Sequence, residues 1–274
     1  MPDWIKKRVL IVVRTYPSPA KSTIEASCTA AISDDGQWIR MFPVPARLME
    51  RDKRFAKWQW IDVSLLKAPS DTRPESYKIN PDSIVIGETI GTQDGWRARR
   101  DLIAPLKSLS LCRIQKERDE HDHPTLGVFR PFEIKRLSIE PAATNWTDVQ
   151  LATLSQDTLF EKAPAQTLEK IPFDFRYEFR CGDVDCRGHA MICTDWEIGQ
   201  AYRAWRREYG DGWEAKFRQR FETEMIQKND THFFVGTVHQ HPGSWIIVGL
   251  FYPPKPTQLS MEFGDDEPDT GKGL

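Results

Sequence analysis

The chain has 274 residues, 39% apolar and 11% aromatic, with 38 basic against 40 acidic residues and a net charge of −2. That length serves one large domain or two of ordinary size, and we expect two. The near-neutral balance excludes an overall attraction to nucleic acid or anionic membrane, so any polyanion site must be local. The longest apolar stretches, 9–13 and 245–252, fall far short of the roughly 20 residues of a membrane span, and the charged start Asp3 to Arg8 has no signal-like core. The expectation is a soluble, cytoplasmic protein.

In chain order, Arg8 to Val13 reads as a central strand that ends at the turn residues Pro17-Ser18-Pro19. Ile24 to Ala30 alternates, Asp34-Asp35-Gly36 supplies a turn, and Trp38 to Phe42 returns, which predicts a hairpin. Arg47 to Lys57 is polar and basic and is read as helical. Trp60 to Leu65 alternates as a strand, and Ile84 to Gly87 is a further short one. Leu102 to Leu111 has apolar spacing nearer that of a helix, with Pro105 tolerated only in a first turn. Thr125 to Ile139 opens a second set of strands, and 141–172 is read as connecting structure. Asp195 to Gly210 looks helical. After Gly210-Asp211-Gly212, Trp213, Phe217, Phe221 and Met225 recur every fourth residue, one drifting face of a second helix. Phe233 to Val238 and Trp245 to Tyr252 are the clearest strands. Leu259 to Leu274 holds five acids and one lysine and is expected to be disordered.

Five cysteines is an odd number, and three of them share thirteen residues with a histidine, a metal-ligand spacing rather than a disulfide framework. Cys181, Cys186, His189 and Cys193 form C-x4-C-x2-H-x3-C. Thiolate and imidazole donors suit tetrahedral zinc, and His189 and Cys193 at i, i+4 would project from one side of a helix. Four protein ligands leave no open coordination position, so the site is expected to be structural, with zinc favoured over an iron–sulfur cluster and with His239 and His241 the alternatives to Cys193 as fourth ligand. Cys28 and Cys112 stand alone and receive no role.

Arg40 to Trp60 holds six basic and two acidic residues with Trp58 and Trp60, and Trp96 to Lys116 holds six basic and one acidic. Aromatic faces stack on bases while cations follow phosphates, so these stretches are candidates for a nucleic-acid surface, the alternative being tryptophans in the core beneath a solvated charged face. Arg40, Arg47, Arg54, Lys57, Arg97, Arg99 and Arg100 are the expected phosphate contacts and Trp58 the expected stacking residue. His121, His123, His239 and His241 lie in loops near Asp122 and Asp230 and are the only material for catalysis. No G-x-S-x-G, phosphate-loop or H-E-x-x-H motif accompanies them.

The run Lys7 to Pro17, the segment Glu25 to Pro45 with Trp38-Ile39-Arg40, Thr125 to Val128, Cys181, Cys186, Gly188-His189, Asp195-Trp196-Glu197 and Gly249 to Pro254 together resemble the prokaryotic dual OB-domain proteins, which are associated with genomic conflict and anti-phage defence. The resemblance covers nearly the whole chain. It implies two small OB-like barrels, and with the cysteine–histidine cluster and the helices after it the expectation is a mainly β, α+β protein with a zinc-stapled helical insertion in the second barrel at about 181–228. The divisions expected are 1–120 for the first barrel, 121–258 for the second and 259–274 for the acidic tail. OB barrels commonly bind oligonucleotides on one face. The expected function is therefore non-enzymatic recognition of single-stranded DNA or RNA, as an accessory to other defence-system proteins. The alternatives are a nuclease or nucleotide-processing enzyme using the loop histidines, and a protein-interaction scaffold.

Overall fold

The computed structural model describes residues 3–68, 70–155, 167–239 and 241–256; the expected acidic tail lies outside them. β1 (Ile5–Arg14) is apolar at consecutive positions because both of its faces are covered. Val9 and Ile11 face one core, while Leu10 and Val12 face another.

The first core is that of a barrel. β2 (Ser18–Ala20), β3 (Ile24–Ser33), β4 (Trp38–Val44), β5 (Gln59–Lys67) and β6 (Ser76–Thr89) join β1 in the order β1-β5-β6-β4-β3-β2, and a direct β1–β3 pairing closes the ring. β4 and β6 run parallel and the other neighbours antiparallel. Five strands in the order β1-β3-β4-β6-β5 make a closed Greek-key barrel of OB type. The β3–β4 hairpin turns at Asp34-Asp35-Gly36 as predicted, with Gly36 at φ +78°, where a side chain would be strained.

The helix expected over Arg47 to Lys57 is reduced to one 3-10 turn at Arg51–Lys53. Met49 and Phe55 are both pinned into the barrel core, and a separation of six residues does not keep two side chains on one helical face. The Leu102 to Leu111 segment is likewise not one helix. α1 (Gln93–Ile103) ends before Pro105, a 3-10 turn follows, β7 (Lys107–Ser108) extends the chain, and α2 (Leu111–His121) starts afresh. The Ser110 hydroxyl caps α2 by accepting from Arg113 N at 3.0 Å.

Beyond α2 lie β8 (Leu126–Phe129), β9 (Glu133–Pro141), α3 (Asp148–Leu154), β10 (Phe173–Arg180), β11 (His189–Ile192), α4 (Trp196–Tyr209), α5 (Trp213–Arg218), α6 (Met225–Gln227), β12 (His232–Val238) and β13 (His241–Phe251). The strands make two sheets, β9-β10-β11 and β7-β8-β12-β13. A single parallel bridge, Cys193 to Ile247, links them on one side, and β8 runs on into β9 on the other.

Trp213, Phe217, Phe221 and Met225 are all buried in the core of this second unit. A strict four-residue spacing drifts by about 40° per step on an α-helix. Gln219–Glu224, between α5 and α6, is a π-helical stretch, and its wider turn takes up the drift. The buried Tyr177 hydroxyl donates to Phe221 O at 2.6 Å, so the irregular turn is held from the sheet side.

The outer faces of β1 and β3 form a core shared by the two units. Leu10, Val12, Ala30 and Ile32 pack there with Leu126, Val128, Phe234 and Phe251. At the start of β12, His232 is also buried, and burial holds its imidazole down at about 4 despite the neighbouring Asp230. Because the neutral form is favoured in the folded state, its contribution is present above the ordinary value of about 6.5 and is lost as the pH falls through 4. At about 1.4 kcal/mol per unit this amounts to about 3 kcal/mol. Urea unfolding at pH 7 and pH 4 should therefore show a steeper loss for the natural chain than for His232→Gln; equal slopes would remove His232 from the account.

Candidate metal centre and binding surface

Cys181 directly follows β10, Cys186 sits in the same loop and His189 starts β11, so a hairpin loop brings three ligands together. The fourth arrives from α2. The donor atoms of Cys112, Cys181, Cys186 and His189 all lie within 4.8 Å of one another. Cys112 Sγ is 3.3 Å and Cys186 Sγ 3.4 Å from His189 Nε2. With Zn–S near 2.3 Å and Zn–N near 2.0–2.1 Å, a tetrahedron has S···N edges of about 3.5 Å, which these spacings match. The Cys181 amide donates to Cys186 Sγ at 3.2 Å, and His189 stacks on Phe179 at 5.1 Å, which fixes the ring. Gly188 lies at φ +93°, a left-handed residue that folds the chain back between Cys186 and His189. This is a structural zinc-binding site of three cysteines and one histidine.

Burial pushes the Cys112 thiol up to about 12 and raises that of Cys181. Burial also works against the Cys186 thiolate, but the amides of Cys181 and Gly188 outweigh it. Zinc would relieve the crowding of these thiols by binding all of them as thiolates.

Cys193, expected as the fourth ligand, is not in the cluster. The expectation assumed a helix, whereas His189–Ile192 is a strand, in which four residues span about 13 Å. Cys193 is instead a buried core residue whose amide donates to Phe175 O at 2.7 Å. Nor does the metal staple the helices α4 and α5: it ties the β10–β11 hairpin to α2. Cys112 lies 69 residues before Cys181 in sequence, and no local spacing marks it as a ligand.

Three of the seven residues expected to contact phosphates, Arg40, Lys57 and Arg100, instead hold the two units together. Arg40 is 2% exposed; its Nη2 donates to Thr125 O at 2.8 Å and pairs with Glu75 at 3.2 Å. Lys57 donates to Leu250 O at 2.7 Å and pairs with Asp195 at 3.2 Å and Glu197 at 3.5 Å. Trp58 is 3% exposed and packs on Phe251 with ring centres 5.2 Å apart, so it cannot stack on a base. The assignments of Arg40, Lys57 and Trp58 are corrected: the residues belong to the shared interior. Arg99 lies 4.9 Å from the rings of both Trp58 and Trp96, and Arg100 pairs with Asp230 at 2.7 Å. Arg47 faces the buried Glu25 at 3.4 Å. Arg54 and Arg97 remain exposed. His121 and His123 have ring centres 6.1 Å apart, and His239 is 3.5 Å from Asp71.

The alternation of β4 explains why Arg40 is covered. Ile39 and Met41 point into the barrel, which leaves Trp38, Arg40 and Phe42 on its outer face. OB barrels present this region to ligands, but here the second unit lies over its centre. The two ends stay open. At one, Phe42 is 47% exposed beside a 490 Å³ cleft, walled by Ser22 and Thr23 from the loop joining β2 to β3, by Asp71 and Arg73 from the loop joining β5 to β6, and by Lys78 and His239. At the other, Trp38 borders a 460 Å³ cavity. Phe42 stands outside the expected contacts, although its register with Trp38 and Arg40 marks the same face.

The fold and the site thus define a protein with an OB-like barrel and a zinc-binding second unit; among the described residues no helix is long and apolar enough to cross a membrane. The chain belongs to the family described as Domain of unknown function (DUF8757), whose model matches residues 107–265. Residues 5–105 match the model described as Domain of unknown function (DUF8758). A comparison with curated proteins finds no match.

Proposed function

We propose that the protein binds single-stranded nucleic acid at the rim of its first barrel, as a recognition or accessory component. The observation that carries this reading is the 490 Å³ cleft at the open end of the β4 face, where the exposed ring of Phe42 lies beside the exposed Lys78. An aromatic platform beside a cation suits a base and its phosphate. Arg54 and Arg97 are the sequence-expected cations still available to a passing strand. The resemblance to dual OB-domain proteins adds a role alongside other defence proteins, in a reducing compartment that keeps the thiols as metal ligands.

The second unit is read as a second OB-like barrel. If β8 and β9 count as one bent strand, the order β8/β9-β10-β11-β13-β12 repeats that of the first barrel. It has the same parallel contact between third and fifth strands, through Cys193 and Ile247, and α4 to α6 are inserted between the third and fourth. We set the division between the domains before β7 rather than at residue 120, because β7 pairs with β8 and α2 supplies Cys112 to the zinc site.

The test is a fluorescence titration against single- and double-stranded DNA and RNA at several salt concentrations. Single strands should bind more tightly, with log affinity falling linearly in log salt. Phe42→Ala should weaken binding by about 1–3 kcal/mol, and Lys78→Glu should both weaken it and flatten the salt slope. No binding at low salt would overturn the reading.

A further inference from the structure

The cavity at the other end of the β4 face has a chemistry of its own. It is lined by Trp38 and Tyr77, two aromatic side chains, and by Gln37, Glu75, Thr125 and Lys7. Each aromatic ring is anchored from outside: Trp38 meets Phe234 edge to face at 6.1 Å, and Lys67 lies 5.0 Å from the Tyr77 ring. Glu75 is ion-paired with Arg40 and is therefore an acceptor only. Its contacts from Arg40 and from the Thr125 hydroxyl all end on Oε1. Glu75 lines the cavity and its side chain keeps 10% exposure, and among the described residues no hydrogen bond ends on its Oε2. A buried arginine thus holds one carboxylate oxygen at the wall of an aromatic-lined cavity large enough for a base. The cavity shares Trp38, Pro124 and Leu126 with a second one bordered by Lys107 and by Arg113, which pairs with Glu117 at 2.6 Å; there Lys107 would meet a strand's phosphate.

We propose that this cavity is a base-reading subsite, in which Glu75 selects nucleobases carrying an exocyclic amino group over thymine or uracil. Cytosine, adenine and guanine each present an exocyclic amino N–H that a carboxylate oxygen accepts, whereas thymine and uracil carry no amino group and offer only N3–H, flanked by the O2 and O4 acceptors that the carboxylate repels. The proposal rests on the nucleic-acid reading above but concerns a different end of the face and a different property, base preference rather than affinity.

The test is a competition assay with the full chain, in which unlabelled oligo(dC), oligo(dA) and oligo(dT) displace a labelled single strand. Oligo(dC) and oligo(dA) should compete about tenfold better than oligo(dT). The Glu75→Gln amide keeps an oxygen for Arg40 and gains an N–H donor, so this variant should shift the preference toward oligo(dT). Phe42→Ala, at the other end, should weaken all three alike. Should Glu75→Gln fail to fold, as judged by circular dichroism, the unmodified protein still provides a test: dimethylating cytosine N4 removes the donor and should abolish the advantage of oligo(dC). Binding without base preference, or a preference untouched by N4 dimethylation, would overturn this inference alone. Failure of every oligonucleotide to compete would overturn the nucleic-acid reading and this inference with it.

Discussion

Replacing Cys112 by Ser should strip zinc from the purified protein, while replacing Cys193 by Ala should leave zinc in place. Cys112 lies in the four-donor cluster, and Cys193 is buried elsewhere in the core of the second unit. Structural zinc sites bind with roughly 10–16 kcal/mol, and that binding energy is folding energy wherever the site forms only in the folded chain. Loss of one ligand should therefore release the metal and loosen the β10–β11 hairpin from α2. Cys186→Ser should behave as Cys112→Ser does, and chelation of the natural protein should reproduce both. Metal analysis by mass spectrometry together with thermal unfolding measures all of these. A Cys112→Ser protein that keeps a full complement of zinc, or a Cys193→Ala protein that loses it, would show the ligand set to be wrong. Acid should release the metal from the natural chain as well, because protons compete for thiolate and imidazole.

The second large effect is expected at Lys57. Its ammonium crosses from the first barrel to Asp195, whose carboxylate also accepts from Leu250 N at 2.8 Å and from Glu197 N at 2.6 Å, the latter capping α4. Burial pushes the Asp195 carboxyl up to about 6, and Lys57 opposes a further rise. Lys57→Met leaves the buried Asp195 without the cation it pairs with, and breaking one side of such a pair costs about 3–5 kcal/mol. Lys57→Met combined with Asp195→Asn should cost less than the sum of the single changes, because the pair acts as a unit. Urea unfolding of the four proteins closes that cycle. Additive costs would mean that the interface does not depend on the pair.

Much of the first barrel is legible in the sequence because period-two alternation, the Asp-Gly turn and the β-branched run of β1 are local signals that the fold obeys. The continuous apolar run of Val9 to Val13 signals cover on both faces, yet nothing in it says that the second cover is the other half of the chain. Trp58 and the basic residues around it show the cost of that gap. An arginine or lysine in an aromatic neighbourhood has the same sequence signature whether it waits for a phosphate or crosses a domain interface. Arg40 and Lys57 differ from Arg97 only in what lies opposite them, Glu75 and Asp195, which are 35 and 138 residues away.

The metal centre divides along the same line. Cys181, Cys186 and His189 could be read from the sequence alone, because a hairpin loop supplies ligands at short spacing and Gly188 marks the tight return between two of them. The fourth ligand could not. Choosing Cys193 required knowing whether residues 189–193 are helix or strand, and choosing Cys112 required knowing that α2 packs against the hairpin. Local propensity and spacing thus determined β1, β3, β4, β5, β8, β9, β12 and β13, the Asp-Gly turn and three zinc ligands, but not β10 and β11. The fourth ligand, the burial of the basic residues and the two open ends of the β4 face were decided by the tertiary structure, because each depends on contacts between residues far apart in the chain.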